Sequence, residues 1–354
     1  MSNLIYKNPI TIRQDHLTCP LPLALESYWS CAADCLHCMG RRLNQIWGQE
    51  QRCTNPEAVR KTLINALSNK NPKSIIAQAL HAQKTFFLGR KADPYQPIEL
   101  KERITAQLIE ILFELDWSFA ICSRYQANLI QDIALLKQKK HLVTILTELT
   151  PGGDADWELF ERGRTTPPKE RLSVSQRLQR YGFNVGVRGE PFIPGYHTFA
   201  QFRDTLKMLK SYGIKSYNTY SLHINEYTIK RLFEIGLDIE KIWELNHDKH
   251  WKPIQRKLCD IAEQEGIILG CPDFVNVRKD YSCPANTCCG VSVPKPFTFN
   301  THHWRNDLVA GENKSTILVS TWEGIGTIDD QSKGCSILCS KEEQDYYTFN
   351  DAEL

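Results

Sequence analysis

Cys31-Ala32-Ala33-Asp34-Cys35-Leu36-His37-Cys38 sets three cysteines at the spacing CxxxCxxC, directly after the aromatic-rich run Glu26-Ser27-Tyr28-Trp29-Ser30. Three thiolates on one short loop can ligate three irons of a cubane and leave the fourth iron without a protein ligand, whereas a closed electron-transfer cluster needs a fourth cysteine. The open iron is a place for another molecule to chelate. A zinc knuckle needs a fourth ligand near tetrahedral position, and His37, set between two of the cysteines, is poorly placed to join them. The spacing favours a 4Fe–4S cluster on Cys31, Cys35 and Cys38 over zinc or a chance grouping of buried thiols.

The surrounding composition fits this reading. The 354 residues are 42% hydrophobic, enough for a large core in one elaborated domain or two. A net charge of +2 gives no strongly basic nucleic-acid footprint. Met1 to Ile10 lacks a long apolar run, and no segment reaches the roughly 18 apolar residues that a membrane span requires. A soluble protein of the cytoplasm, or of the host cytoplasm if the source is viral, is expected. Thirteen cysteines, an odd number in a long chain, suit reduced thiols and metal ligation better than a disulfide framework.

Outward from the cysteine loop, strand-like runs alternate with helical patterns, the signature of a parallel sheet with crossover helices. The spacing predicts strands at Pro22 to Trp29, Thr85 to Gly89, Ser118 to Ser123, His141 to Thr150, Asn184 to Glu190 and Ser216 to His223. It predicts helices at Arg41 to Gly48, Glu57 to Asn69, Glu99 to Leu115, Gln131 to Lys139 and Phe199 to Tyr212. Six βα units in about 200 residues suggest a partial barrel rather than a closed eight-fold one. The expected architecture is α/β, a partial (βα)6 TIM-like barrel over residues 1–225 with a helical, cysteine-rich cap over 226–354.

The chain resembles the radical S-adenosylmethionine (SAM) enzymes, and within them the spore-photoproduct-lyase-like group of DNA-lesion lyases and photolyase-annotated relatives. The resemblance rests on Cys31, Cys35 and Cys38, on Ala92-Asp93-Pro94-Tyr95-Gln96-Pro97-Ile98-Glu99, and on Glu161, Thr165, Thr166 and Glu170-Arg171-Leu172. The run Glu190-Pro191-Phe192-Ile193-Pro194-Gly195 completes it. It implies that SAM binds the unique iron through its amino and carboxylate groups and is cleaved to a 5'-deoxyadenosyl radical. It implies SAM contacts from the strand end Phe86 to Gly89 and from Asp93 near the amino group. The lyases carry a hydrogen-donating cysteine three residues before that Asp; here the position is Arg90.

Other strand-end residues are candidates from position alone. Cys122 can face the same mouth and replace the missing cysteine, or simply pack. Arg90 can pair an anion bidentately or form an ion pair with Glu99 or Asp93, and with Arg124 and Arg188 it can complete an anion-binding ring. Glu148 and Glu190 can hold SAM hydroxyls or its ammonium, or Glu148 can bridge to an arginine. On the sixth strand, alternation separates Tyr220 and Asn218 from Tyr217, and Tyr220 is a site candidate beside a core reading.

Residues 226–265 read as helices with an apolar face, followed by a short strand at Gly266 to Gly270. Cys271, Cys283, Cys288, Cys289, Cys335 and Cys339, with His302 and His303, offer donors for a second iron–sulfur cluster or a zinc, or stay free thiols, since no CxxC pair is present. Thr321 to Gly326 reads as a glycine-punctuated turn.

The expected function is hydrogen abstraction from a modified or damaged pyrimidine in DNA, with lyase, isomerase or phage-type thymidine hypermodification outcomes, and with flavodoxin or ferredoxin as electron donor. Modification of a peptide or small metabolite, and a non-catalytic metal-stabilised DNA-binding protein, are the alternatives.

Overall fold

The computed structural model describes residues 4–12, 21, 23–38, 40, 50–246 and 248–270, together with the strand backbones at 316–321, 324–329 and 336–338. Two short strands open the chain, β1 (Leu4–Tyr6) and β2 (Ile10–Ile12). They are followed by β3 (Leu23–Leu25), β4 (Arg52–Thr54), β5 (Phe86–Leu88), β6 (Phe119–Ser123), β7 (Val143–Glu148), β8 (Asn184–Arg188), β9 (Ser216–Asn218) and β10 (Ile268–Gly270).

One eight-stranded sheet runs in the order β10-β9-β8-β7-β6-β5-β3-β2. Every neighbouring pair from β3 to β10 is parallel, and β2 lies antiparallel on β3 at the edge. The strands follow one another in chain order, so each crossover returns to the adjacent position, as repeated βα units do. The sheet is open, with β2 and β10 as its terminal strands. The Gly266 to Gly270 run thus joins the sheet as a seventh parallel strand, at residues 268–270. The antiparallel edge strand β2 and the two-stranded parallel sheet of β1 and β4 were not foreseen.

The sheet centre is buried on both faces: every residue of β5 and β6, and all of β7 but Glu148, is buried. One face carries Phe86, Leu88, Phe119, Ile121 and Ile145 into the main core with Leu108, Leu112, Leu172, Phe202 and Leu206 from the helices. Alternation sends Phe87, Ala120, Cys122 and Leu146 to the other face, where they pack with Leu21.

Local chemistry sets the helix limits. Helix α1 (Pro56–Ser68) starts under an Asn55 side-chain cap with Pro56 in its first turn. The helix expected over Glu99 to Leu115 is two pieces, Glu99–Glu102 and α2 (Ile104–Glu114), because Arg103 takes a left-handed φ of +56°. The break turns the Glu99 carboxylate onto the backbone N–H groups of Thr105 and Ala106, at 2.9 and 3.1 Å. Helix α3 spans Pro168–Arg180, α4 Phe199–Ser211 behind a Thr198/Gln201 capping box, and α5 Glu226–Glu234 behind an Asn225/Thr228 box.

The expected strands were too long at several ends. The one drawn to His223 stops at Asn218, since Thr219 leaves the ladder to donate its hydroxyl to Gly189 O at 2.8 Å. Strand 316–321 pairs antiparallel with 324–329, which pairs antiparallel with 336–338, so Thr321, Gly324, Ile325 and Gly326, expected in a turn, lie in strands. Residues Arg41 to Gly48, Cys271, Cys283, Cys288, Cys289, His302, His303, Cys335 and Cys339 lie outside the described residues. No helix among those described is long and apolar enough to cross a membrane.

Candidate active site

One cavity opens at the C-terminal ends of the parallel strands, the end where open and closed α/β sheets place their sites. Its wall includes Cys31, Cys35 and Cys38 from the loop after β3, Gly89, Arg90, Lys91 and Asp93 after β5, and Cys122 and Arg124 at the end of β6. Glu148 from β7, Arg188 from β8, Glu190 after it and Tyr220 after β9 complete this part of it. All ten residues singled out as site candidates therefore meet in one place.

The cysteine loop is braced from three directions. Gln96 accepts from Ala32 N–H and donates to Ser30 O, both at 2.8 Å, and Asp93 N–H points at Cys31 Sγ at 3.5 Å. Leu36 N–H donates to Phe160 O at 2.8 Å. From α5, the guanidinium of Arg231 donates to Cys35 O at 3.0 Å and to Asp34 O at 3.1 Å, across the turn where Asp34 takes a φ of +52°. The run from Asp93 to Glu99 thus serves partly as a brace for the thiols.

The donor set suits an iron–sulfur cluster. Burial, then the Asp93 carboxylate, pushes the Cys31 thiol up to about 12. Burial likewise raises Cys35, with Arg124 working against it. Thiols so desolvated ionise against a bound cation. Among the described residues no three His, Cys, Asp or Glu side chains converge on a single-ion site. A cubane asks for less, because each thiolate takes its own iron. Space beside the thiols is kept by glycines. A Cβ on Gly40 would stand 2.9 Å from Lys91 O and 3.5 Å from Cys38 Sγ. One on Gly89, whose φ is +88°, would stand 2.2 Å from Cys122 O.

The strand-end charges form a closed network. Arg124 donates to Glu161 at 2.5 Å, to Glu148 at 3.0 Å, to Glu190 O at 3.2 Å and to His37 Nε2 at 3.3 Å. Arg188 pairs with Glu190 and reaches Glu148 at 3.4 Å. The expected anion-binding ring is therefore corrected for Arg124 and Arg188, whose charges are already engaged by carboxylates. Glu148 takes its alternative role as a bridge between arginines. Arg90 acts electrostatically on Glu26 and Tyr6, and Glu99 is turned to Tyr28, Thr105 and Ala106 instead.

Asp93 faces the cavity, but its carboxylate accepts from Ser123 Oγ at 2.8 Å, Arg124 N–H at 2.6 Å and Tyr95 N–H at 2.9 Å. Burial raises it to about 6 against those three donors. Burial, then Arg124, holds His37 down to about 3, so the ring is neutral and accepts at Nε2. Its Nδ1 has no partner among the described residues.

Cys122 both packs and faces the cavity. It is 2% exposed, and its Sγ donates to Glu148 Oε1 at 2.7 Å and lies 3.5 Å from Arg188 Nη1. Burial, then Glu148, raises this thiol well above its ordinary range, so it is held as S–H. Tyr217 is core, its hydroxyl donating to Leu149 O at 2.9 Å, while Tyr220 borders the cavity and stacks on His223 with centroids 5.0 Å apart.

One pair was missed. Lys91 lies on the cavity wall with its ammonium over the Trp29 ring and 5.7 Å from the Tyr6 ring. Glu26, 1% exposed, accepts from Lys91 N–H at 2.9 Å. Burial moves both groups to about 7, Lys91 downwards and Glu26 upwards. A glutamate inside the apolar run before the cysteines was the available signal. Glu161, Thr165 and Arg171, quoted above for the resemblance without a role, form a buried cluster that pins Arg124 from behind.

No protein-family model and no curated protein matches this sequence. Solved structures do match. A mutant of spore photoproduct lyase with dinucleoside spore photoproduct aligns at TM-score 0.55 and 12% identity, covering 75% of this chain and 80% of that one. Spore photoproduct lyase complexed with the same dinucleoside aligns at 0.54 and 13%, with the same coverage. This chain has the fold of spore photoproduct lyase. A further lyase mutant, with bound AdoMet and the dinucleoside, aligns at 0.52 and 14% over 70% of this chain and 76% of that one. The fold likeness agrees with the fold that the resemblance read from the cysteine loop and the Asp93 segment implies.

Proposed function

We propose that this chain is a radical SAM enzyme acting on a base in DNA, with Cys31, Cys35 and Cys38 holding a 4Fe–4S cluster and SAM completing its open iron. The observation that carries the reading is the meeting of the three thiols with Gly89, Asp93 and Cys122 in one cavity at the strand ends. The bound cluster and SAM together supply a 5'-deoxyadenosyl radical able to abstract hydrogen from carbon.

The chain's own residues position and protect. Gly89 and Gly40 keep the wall clear where a side chain would collide with backbone. Asp93 ties the end of β6 to the cysteine loop, and the Arg124, Glu148, Glu190 and Arg188 network fixes the floor without mobile charge. Cys122, held as a thiol, is placed to give a hydrogen atom to a substrate radical. The thiyl radical left behind would be restored by one electron from the external reductant that also reduces the cluster and one proton from solvent, with Glu148 Oε1 as the thiol's hydrogen-bond partner at 2.7 Å. Tyr220 bounds the side on which a planar base would lie. A partial barrel describes the open sheet of parallel strands best. A base stacked in duplex DNA would have to be flipped out to enter a cavity at the strand ends, so single-stranded or lesion-bearing DNA is the favoured form.

The test is anaerobic reconstitution with iron and sulfide, followed by reductant and SAM, with 5'-deoxyadenosine measured beside a Cys31→Ala, Cys35→Ala, Cys38→Ala variant. Formation by the unmodified protein alone, stimulated by single-stranded or modified-pyrimidine DNA, is the expected result. Formation that is indifferent to DNA sinks the substrate assignment, and no formation at all sinks the cofactor assignment.

A further inference from the structure

Behind the cysteine loop, three arginines meet on one carboxylate. Arg231 Nη2 lies 2.9 Å from Asp34 Oδ1, while Arg164 Nη1 and Arg162 Nη1 both reach Oδ2, at 3.0 and 3.3 Å. One aspartate against three arginines leaves two positive charges in excess. Arg231 is buried and holds the Asp34 and Cys35 carbonyls, so the loop clamp is complete with this one. Arg162 and Arg164 are 43% and 48% exposed, and among the described residues their side chains make no other hydrogen bond or ion pair. Asp34 thus keeps two guanidinium groups side by side against their mutual repulsion, each engaged through a single nitrogen.

The pair stands one residue of backbone from the site. Asp34 does not line the cavity, but Ala33 and Cys35 on either side of it do. An aromatic ring belongs to the same group, since Tyr227, half-buried on α5, has its ring centroid 5.1 Å from the Arg231 guanidinium carbon. A base in the cavity is one part of a DNA strand; the phosphodiesters on either side of it stay outside, where contacts to them fix the register of the strand. Adjacent guanidinium forks match phosphate oxygens, and an aromatic ring beside cations is how single-stranded nucleic acid is held without regard to sequence. An acidic protein would answer the charges alone, whereas a strand answers the charges and the ring together.

We propose that Arg162 and Arg164 grip a phosphodiester of the DNA strand next to the nucleotide in the cavity, with Tyr227 as a platform for a neighbouring base. The inference rests on the reading of the substrate as DNA and adds the path the strand takes. The contact is ionic and hydrogen-bonded, and no bond forms or breaks.

The test titrates the anaerobically reconstituted full chain into labelled single-stranded oligothymidylate of about twelve nucleotides, and follows fluorescence anisotropy from about 50 to about 500 mM salt. Arg162→Gln with Arg164→Gln should bind at least about tenfold more weakly at the lowest salt, and its salt slope should be shallower by about 1.4, two lost phosphate contacts at about 0.7 each. Arg162→Lys with Arg164→Lys keeps the charge, so it should keep the slope and stay within about threefold. Tyr227→Leu should lose at least about fivefold in affinity with the slope unchanged. An oligomer with uncharged methylphosphonate linkages should bind the unmodified protein and the glutamine pair alike. Iron per chain should match in all four proteins, because Arg231 stays on the loop.

Unmodified affinity and slope in the glutamine pair overturn the phosphate grip, and unmodified affinity in Tyr227→Leu overturns the platform, each with the DNA reading still standing. Unchanged DNA binding with slower reduction by an acidic flavodoxin also overturns the proposal and assigns the arginines to a protein partner. If the unmodified protein binds neither single-stranded nor modified-pyrimidine DNA, the DNA reading itself fails and the grip falls with it.

Discussion

Glu161→Gln isolates the buried charges behind the site. Glu161 is 1% exposed and accepts from Arg124, Arg171 and Thr165. The substitution keeps shape and removes charge, leaving Arg171, itself fully buried, and Arg124 without their shared counter-ion. Burial works to raise the Glu161 carboxyl, but Arg124 and Arg171 win and hold it at about 2 against an ordinary 4.5. At 1.36 kcal/mol per pKa unit, that displacement corresponds to about 3 kcal/mol, of the same order as the roughly 3–5 kcal/mol seen on breaking a buried ion pair. Because the folded value is depressed, the stabilisation is fully present above about 4.5 and is lost as pH falls towards about 2. Urea unfolding of both proteins at pH 7 should show the variant about 3 kcal/mol less stable, with the gap closing as pH falls through that window. A gap below about 1 kcal/mol at pH 7, or one that stays constant down to pH 3, would refute the argument.

Gly89→Ala puts a methyl 2.2 Å from Cys122 O at a φ of +88°, so a loss of about 2–5 kcal/mol in urea unfolding is expected, together with weaker SAM binding by calorimetry. Cys122→Ala should retain 5'-deoxyadenosine formation while product analysis shows hydrogen drawn from another source; an unchanged product pattern excludes Cys122 as donor. Arg231→Met removes the hold on the Cys35 and Asp34 carbonyls, and iron per chain after reconstitution should fall at least about twofold, with Arg231→Lys intermediate.

The alternation of strand and helix was legible because burial on both sheet faces writes near-continuous apolar runs, and β5 to β8 fall inside the spans read from the sequence. The ten candidates share one cavity because the cysteine spacing marks a single loop and chain order sets the other seven at or just beyond strand ends. Their partners were not legible. Nothing near Arg124 in the sequence announces that its charge is spent on Glu161 and Glu148, 37 and 24 residues away. The same holds for Lys91, 65 residues from Glu26. The edge strand β2 escaped notice for a different reason. Three residues, Ile10-Thr11-Ile12, are too few to display a period.

The clamp on the cysteine loop also has a consequence for biosynthesis. Arg231 and Asp34 are 197 residues apart, so the ribosome must add that length after the cysteines emerge before the loop acquires its lasting shape. At about 5–20 residues per second this is roughly 10–40 s during which the thiols are made but not yet gathered. On the proposed reading of the three cysteines as cluster ligands, metal loading is tied to completion of the α5 region. A translation product halted before residue 231 would carry all three cysteines and still lack the clamp on their loop.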